Sequence, residues 1–237
     1  MNLLVVNSEK FAATAADHIE AVVQSKAKVN ICFPTGDTPK GVYLELERRV
    51  RHGMLSLKNV RGFGLDEWGE LKDDNPIRCS SRIRNDLYNR VDIEEYYYVN
   101  PQAFDMAEEC KEYERLIQTK GGLHLSMLGI GLNGHVGFNE PGSRVDSRTR
   151  VVKLDDTTKR VSEKYGWKQK QPIWGVTLGV GTLLESEKVL ILANGRHKAQ
   201  IVQKAIEDPV TPFVPVSLLR DHRNVTFLLD TEAAFLL

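Results

Sequence analysis

The sequence predicts an α/β fold: a single doubly wound, mostly parallel sheet with helices on both faces, a Rossmann-like three-layer arrangement over residues 1–237 as one unit. Three observations predict it. Short apolar runs recur without polar alternation, as strands buried on both faces require. Stretches of helical periodicity separate them, and strands alternating with helices imply parallel pairing. The length, 237 residues, is ample for one large α/β core, and no repeat, low-complexity tract or Gly/Ser linker divides it.

Taken in order, residues 3–6, 29–33, 123–128, 189–193 and 225–229 are the apolar runs and read as buried parallel strands. Residues 60–65, 96–99, 150–154 and 173–178 are weaker strand candidates. Val42, Leu46 and Val50 mark a helix after Pro39. Ala103, Met106, Ala107, Cys110, Tyr113 and Ile117 lie on one face of another. In such sheets ligands bind outside the carboxyl ends of the strands, so chemistry is expected just after each run.

Composition narrows the function. Lys plus Arg is 32 and Asp plus Glu is 32, so net charge supplies no attraction to nucleic acid or an anionic membrane. No apolar run approaches the roughly 18 residues of a membrane helix. The start, MNLLVVNSEK, lacks a basic segment followed by a long apolar one, so no secretory signal is expected. Cys32, Cys79 and Cys110 are sparse and scattered, which fits a reducing, cytoplasmic setting. Histidines 18, 52, 124, 135, 197 and 222 show no ligand spacing with cysteine or carboxylate, so neither a metal nor another cofactor is expected. No Ser or Cys stands in a nucleophile elbow.

Four loops follow predicted strands. In Phe33-Pro34-Thr35-Gly36-Asp37-Thr38-Pro39-Lys40, Thr38 suits an N-cap and Pro39 the first helical position. Free N–H groups, hydroxyls and the helix dipole make an anion site, although the same signals fit a capped turn without ligand, and Asp37 opposes an anion unless it points away. Leu65-Asp66-Glu67-Trp68 places two carboxylates beside an aromatic, a setting for a general base or, taken alone, a solvated acidic turn. The stretch from Gly129 to Gly142 contains G-x-G-x-x-G after a strand, but no amphipathic helix follows, which argues against a dinucleotide. Its His135, Asn133 and Glu140 instead suit proton transfer, with the carboxylate orienting the imidazole. In Asn194-Gly195-Arg196-His197-Lys198-Ala199, Lys198 is placed to clamp a phosphate near a helix start, or is an ordinary surface lysine.

These segments resemble the glucosamine-6-phosphate deaminase (isomerase) family along nearly the whole chain. The resemblance rests on Pro34-Thr35-Gly36-x-Thr38-Pro39, Leu65-Asp66-Glu67-Trp68, the run from Gly129 through His135-Val136-Gly137-Phe138-Asn139-Glu140-Pro141-Gly142, Ser147-Arg148-Thr149-Arg150, Thr177-Leu178-Gly179-Val180-Gly181-Thr182-Leu183-Leu184, and Gly195-x-x-Lys198-Ala199. The related 6-phosphogluconolactonases share the fold, but a different stretch typically follows their histidine. The resemblance implies a metal-free aldose–ketose isomerisation with loss of ammonia from a phosphorylated amino sugar. His135 would assist ring opening, Asp66 would move the proton between C2 and C1, Glu140 would pair with His135, and Asn133 would sit beside it. Thr35, Gly36, Thr38 and Lys198 would bind the 6-phosphate, with Glu67 and Gly134 also at the substrate.

The chain departs from the family pattern in three places. Asn133 stands where many members carry Asp, which shifts proton traffic onto His135 and Glu140. The phosphate-binding arginine of an Asn-Ser-Arg-Phe stretch is missing, leaving Lys159, Arg160 or Lys164 to replace it. Trp68 replaces the usual Tyr and is followed by Gly69-Glu70-Leu71-Lys72-Asp73-Asp74-Asn75-Pro76. These departures also resemble the galactosamine-6-phosphate branch, whose substrate is the C4 epimer. Val152 replaces a basic residue expected for an activator site near Ser143 and Arg150, so weak or no activation by an N-acetylated sugar phosphate is expected. A sugar-phosphate sensor of the same fold would need a DNA-binding module, and residues 1–30 carry only one strand and one helix. Oligomeric state stays open, because the resembled family includes monomers and hexamers.

Overall fold

A computed structural model describes residues 1–69, 71, 72, 75–167 and 172–237; Glu70, Asp73 and Asp74 of the stretch after Trp68 lie outside them. The strands are β1 (Asn2–Val6), β2 (Val29–Phe33), β3 (Val60–Gly64), β4 (Asp66–Trp68), β5 (Glu95–Tyr97), β6 (Leu125–Gly129), β7 (Arg150–Lys153), β8 (Trp174–Thr177), β9 (Lys188–Ala193) and β10 (Val225–Asp230). The α-helices are α1 (Ser8–Val23), α2 (Lys40–Arg51), α3 (Cys79–Ile83), α4 (Met106–Thr119), α5 (Asp156–Ser162), α6 (Val180–Leu184) and α7 (Ala199–Glu207).

Seven strands form a sheet in the order β1-β10-β9-β6-β2-β3-β5, with parallel pairing throughout. Its central strands are buried along their length, which is why they are apolar without alternation. One face packs under α1 and α2, where Phe11, Ile19, Val42 and Leu46 meet Ile31 and Met127. The other packs under α4 and α7, where Tyr113, Ile117, Val202 and Ala205 meet Phe63, Ile191 and Phe227. From β2 the chain winds outward through β3 to β5, then returns at β6 and winds the other way. The topological switch therefore lies between β2 and β6, which pair only at Ile31–Leu125 and Cys32–Ser126. A crevice opens beyond that short pairing, between the loops that leave the two strands.

The sheet is not single. β4, β8 and β7 form a second, antiparallel sheet. Residues 150–154 and 173–178, expected as strands of a parallel sheet, belong here. Alternating burial along β7 shows the reason: one face is covered and the other is open, the pattern of antiparallel strands. β3 ends at Gly64, and the chain crosses at once into β4, where Asp66 pairs with Thr177. Trp68, Leu71, Cys79, Phe138 and Leu154 pack into a small separate core beneath this sheet. Ala103 lies outside its expected helix, because Asp105 caps α4 by accepting from the N–H groups of Ala107 and Glu108 at 2.9 and 3.0 Å. Among the described residues, no helix is long and apolar enough to cross a membrane.

Candidate active site

The loops after β2, β3, β6 and β9 meet in one cavity of about 170 Å³ at the switch point. It is lined by Thr35, Gly36, Asp37, Thr38, Asp66, Trp68, Cys79, Arg82, His135, Thr158, Lys164 and Lys198, among others.

The loop after β2 is anchored by Tyr43, whose hydroxyl donates to the Pro34 carbonyl at 2.5 Å. Gly36 takes φ +125°, a backbone state that side chains rarely adopt, and this turns the segment across the cavity mouth. Thr38 is not the helix cap. Pro39 is already helical in φ and ψ and its carbonyl accepts from Tyr43, so α2 begins at Lys40 and Thr38 stays in the loop. Asp37 lines the cavity, but its carboxylate is engaged by Lys40 at 3.2 Å and Lys164 at 3.4 Å.

Asp66 opens β4 at the cavity floor. Burial pushes its carboxyl up to about 7; the neighbouring Glu67 charge adds to the shift, while a Cys79 hydrogen bond and the positive fields of His135 and Arg82 oppose it. A carboxyl held there is ionised in part at neutral pH and is a stronger base than a free one.

Glu67 does not face the cavity. It is 1% exposed. Its Oε1 accepts from the N–H groups of Trp68 (2.9 Å) and Cys79 (2.8 Å), and its Oε2 from Ser80 N–H (3.0 Å) and Arg78 Nε (3.2 Å). Three of these four bonds fasten β4 to the start of α3 and the fourth stays within β4, so the carboxylate expected at the substrate is engaged inside the protein and does not line the cavity.

After β6 the chain runs through successive turns with one isolated bridge, Val136–Asn139, and no helix. The G-x-G glycine at 131 is required by close approach: a Cβ there would lie 2.3 Å from the His135 ring. Gly134 is buried against Val214 and Ile201, and its carbonyl accepts from Val216, so it supports the loop rather than the substrate. His135 Nδ1 lies 3.1 Å from Thr158 Oγ1 and 3.5 Å from Glu140 Oε2. Burial alone would raise the Glu140 carboxyl, but hydrogen bonds from His135, Thr158 and Asn133 together with the His135 field hold it below the usual range.

Asn133 braces this pair. Its Oδ1 accepts from His135 N–H at 3.2 Å, and its Nδ2 donates to Glu140 Oε2 at 3.0 Å and to Asp155 Oδ1 at 3.3 Å. Asn133 and Glu140 thus stand behind the imidazole and do not line the cavity. The Asn139 amide donates to the Val136 and Leu178 carbonyls and ties the same loop to the strand end.

Lys198 follows β9 in a short 3-10 turn before α7. Its Nζ donates to the Ile130 carbonyl at 2.5 Å. Burial, aided by the nearby Lys164 charge and opposed by Asp37, pulls the ammonium down to about 8. Of the three cations offered for the missing arginine, Lys164 lines the cavity, Lys159 is paired with Asp156 at 2.9 Å, and Arg160 does not line it.

Sequence reasoning missed Thr158, Asp155, Cys79 and Arg82. Only Asp155 carried a local signal, as the N-cap of α5, where it accepts from Thr157 N–H at 2.8 Å. A second cavity, lined by Ser143, Arg144, Arg150, Val152 and Lys153, lies on the far side of Glu140 and Phe138. Among the described residues no group of three or more His, Cys, Asp or Glu is placed to hold a metal ion.

Fold and cavity together define an α/β protein with Asp66, His135, Lys164 and Lys198 gathered at one switch-point cavity. The profile of the family described as glucosamine-6-phosphate isomerases/6-phosphogluconolactonase matches residues 6–228. A relative from Clostridium botulinum (strain Loch Maree / Type A3), named glucosamine-6-phosphate deaminase, is 37% identical over 238 residues, 99% of this chain and 98% of its own. One of the same name from Bacillus velezensis is 37% identical over 229 residues, 95% of each. The solved structure of a monomeric glucosamine-6-phosphate deaminase matches with TM-score 0.96 and 33% identity over 100% of both chains. The 6-phosphogluconolactonase of Thermotoga maritima shares the fold, with TM-score 0.76 and 21% identity over 97% of this chain and 99% of its own. The chain belongs to the glucosamine-6-phosphate isomerase/6-phosphogluconolactonase family.

Two expected outcomes follow from the geometry. The Asp66 carboxyl titrates near 7 folded against an ordinary value of 3.8, so its charge costs stability. That cost is absent below about pH 4, builds as pH rises and is complete above about 7. Asp66→Asn is expected to raise unfolding stability by roughly 2–4 kcal/mol at pH 8. Denaturant unfolding at pH 8 and pH 4 tests this, and equal stability of the two proteins at pH 8 contradicts it. Asn133→Asp sets a third carboxylate against Glu140 and Asp155 and removes the donor to both, so kcat is expected to fall roughly tenfold or more. Adding Asp155→Asn removes the repulsion and is expected to restore part of the loss; a double variant no better than the single one refutes the bracing role.

Proposed function

We propose that this chain is an amino-sugar-phosphate deaminase that isomerises a hexosamine 6-phosphate, converting glucosamine 6-phosphate and water to fructose 6-phosphate and ammonia. The observation that carries the reading is one cavity shared by the buried Asp66 carboxylate, the His135 imidazole backed by Glu140, and the Thr35–Thr38 loop with Lys164 and Lys198. The full-length similarity to proteins named glucosamine-6-phosphate deaminase supports it.

In this reading Thr35, Gly36 and Thr38 hold the 6-phosphate with Lys198, and Lys164 takes the place of the missing arginine. His135, fixed through Nδ1 by Thr158 and Glu140, takes the proton of the C1 hydroxyl and passes it to the ring oxygen, so that the bond from C1 to the ring oxygen breaks as C1 becomes a carbonyl. Asp66 then removes the C2 proton, and the electron pair moves into the C1 carbonyl to give an enol bearing the amine on C2. Return of the proton to C1 leaves an iminium at C2. Water adds there, the C2–N bond breaks, and ammonia leaves with the proton count balanced.

A second substrate, galactosamine 6-phosphate giving tagatose 6-phosphate, is kept by one observation. Trp68, with Phe138 tilted against it at 4.5 Å between ring centroids, lines the same cavity, and an aromatic wall there bears on how the direction of a sugar hydroxyl is received.

Ammonia release from the purified protein is to be measured with both hexosamine phosphates side by side, with Asp66→Asn as the control. Ammonia with a ketose phosphate from one epimer, abolished in the variant, is the expected result. Turnover of 6-phosphogluconolactone with no ammonia from either amino sugar overturns the reading in favour of the lactonase. The pH dependence supplies a further check. Asp66 must be ionised and Lys198 protonated, so kcat/KM is expected to be bell-shaped, rising through about 7 and falling above about 8. Lys198→Arg keeps its proton and is expected to move only the alkaline limb upward; an unmoved limb excludes Lys198 as its source.

A further inference from the structure

Arg82 takes no part in the scheme above, yet its surroundings assign it one. It projects from α3 onto the cavity wall shared by Thr35, Lys164 and Tyr165. Its guanidinium carbon sits 3.8 Å from the centroid of the Tyr165 ring, which holds the head group in place. Among the described residues no carboxylate forms an ion pair with it, and its Nη2 is buried without a hydrogen-bond partner. A half-buried cation lacking a counter-charge is costly, and the cost is relieved when a bound anion supplies the missing charge.

The acids of the cavity do not supply it. Asp37 is engaged by Lys40 and Lys164. Asp66 opens β4, and Arg82 acts on it through the field rather than by direct pairing. The wall that carries Arg82 is the anion wall. Tyr165 directly follows Lys164 in the chain, and Cys79, three residues before Arg82 on α3, lines the cavity together with Thr35. A planar guanidinium presents a rigid fork of donors that matches phosphate oxygens better than an ammonium does.

We propose that Arg82 is a phosphate-binding residue, its guanidinium taking oxygens of the substrate's phosphomonoester beside Lys164 and Lys198. The proposal rests on the reading of this cavity as a sugar-phosphate site and adds a third cation to it. α3 thereby gains a function: fastened by Glu67, it carries Arg82 to the ligand.

The test compares wild type with Arg82→Met and Arg82→Lys. Inorganic phosphate binding is measured by calorimetry, and KM and kcat are measured with the hexosamine 6-phosphate that is turned over. Arg82→Met is expected to raise both the phosphate Kd and KM roughly ten- to a hundredfold, with kcat changed less, since a hydrogen-bonded charge pair is lost. Arg82→Lys is expected to recover part of the affinity. A phosphate Kd unchanged in Arg82→Met overturns the proposal, even where the acid limb of the pH profile moves, because Arg82 then acts on Asp66 alone. Should Arg82→Met fail to fold, Arg82→Lys and Arg82→Gln decide, and a phosphate Kd within twofold of wild type in both overturns it. Phosphate binding that depends on Arg82 without ammonia from either amino sugar removes the proposed reaction and leaves this assignment standing.

Discussion

The site depends on one buried carboxylate that does not itself line the cavity. Glu67 accepts four hydrogen bonds and so converts the unsatisfied start of α3, together with the Arg78 guanidinium, into a fixed extension of β4. A buried charge is tolerable only when its lone pairs are filled, and here three of the four partners come from the segment that must be positioned. Leaving them unpaired would cost on the order of 3–5 kcal/mol. The result is rigid geometry for three cavity residues at once: Asp66 one position before Glu67, and Cys79 and Arg82 on the fastened helix. The second sheet has the same role from the other side. Its pairing of Asp66 with Thr177 and Trp68 with Gly175 holds the base against the main sheet's crevice.

The acid–base centre follows a similar logic of indirect support. His135 and Thr158 face the cavity, while Glu140, Asn133 and Asp155 form successive ranks behind the imidazole. An amide is the right residue at 133 in this chain, because it must donate to two carboxylates while accepting from a backbone N–H. An aspartate accepts but, when ionised, has nothing to donate. The residue type at 133 is therefore coupled to the presence of Asp155, and neither can be interpreted without the other.

The legible and illegible parts of the sequence divide along physical lines. Strands buried on both faces announce themselves as apolar runs, and β2, β9 and β10 appear close to where the runs lie. The switch-point rule then places the loops after β2, β3, β6 and β9 together. The antiparallel sheet was hidden because three- and four-residue strands carry little pattern, and because pairing direction is a tertiary fact. Thr38 misled because Ser or Thr before Pro is a capping signal, while here the backbone at Pro39 is already helical. Glu67 misled for another reason: adjacent carboxylates look alike in sequence, and only the strand's alternation sends one side chain to the cavity and its neighbour into the core. Arg82 carried no signal at all, since an arginine four residues after Arg78 and two before Arg84 reads as a charged helix surface.

The cavity holds charges that are each uncomfortable without a ligand. Asp66 is pushed up by burial, Lys198 is pulled down by burial and by Lys164, and Arg82 lacks a counter-ion. A phosphate placed against Lys164, Lys198 and Arg82 supplies the negative charge that the wall lacks, and it raises the proton affinity of Lys198. Relief of the cationic wall also removes part of the field that lowers Asp66, so the bound anion makes the carboxylate a stronger base at the moment the sugar carbon is beside it. Binding energy at the phosphate is thereby connected to reactivity at C2 through electrostatics alone, with no requirement that the fold move.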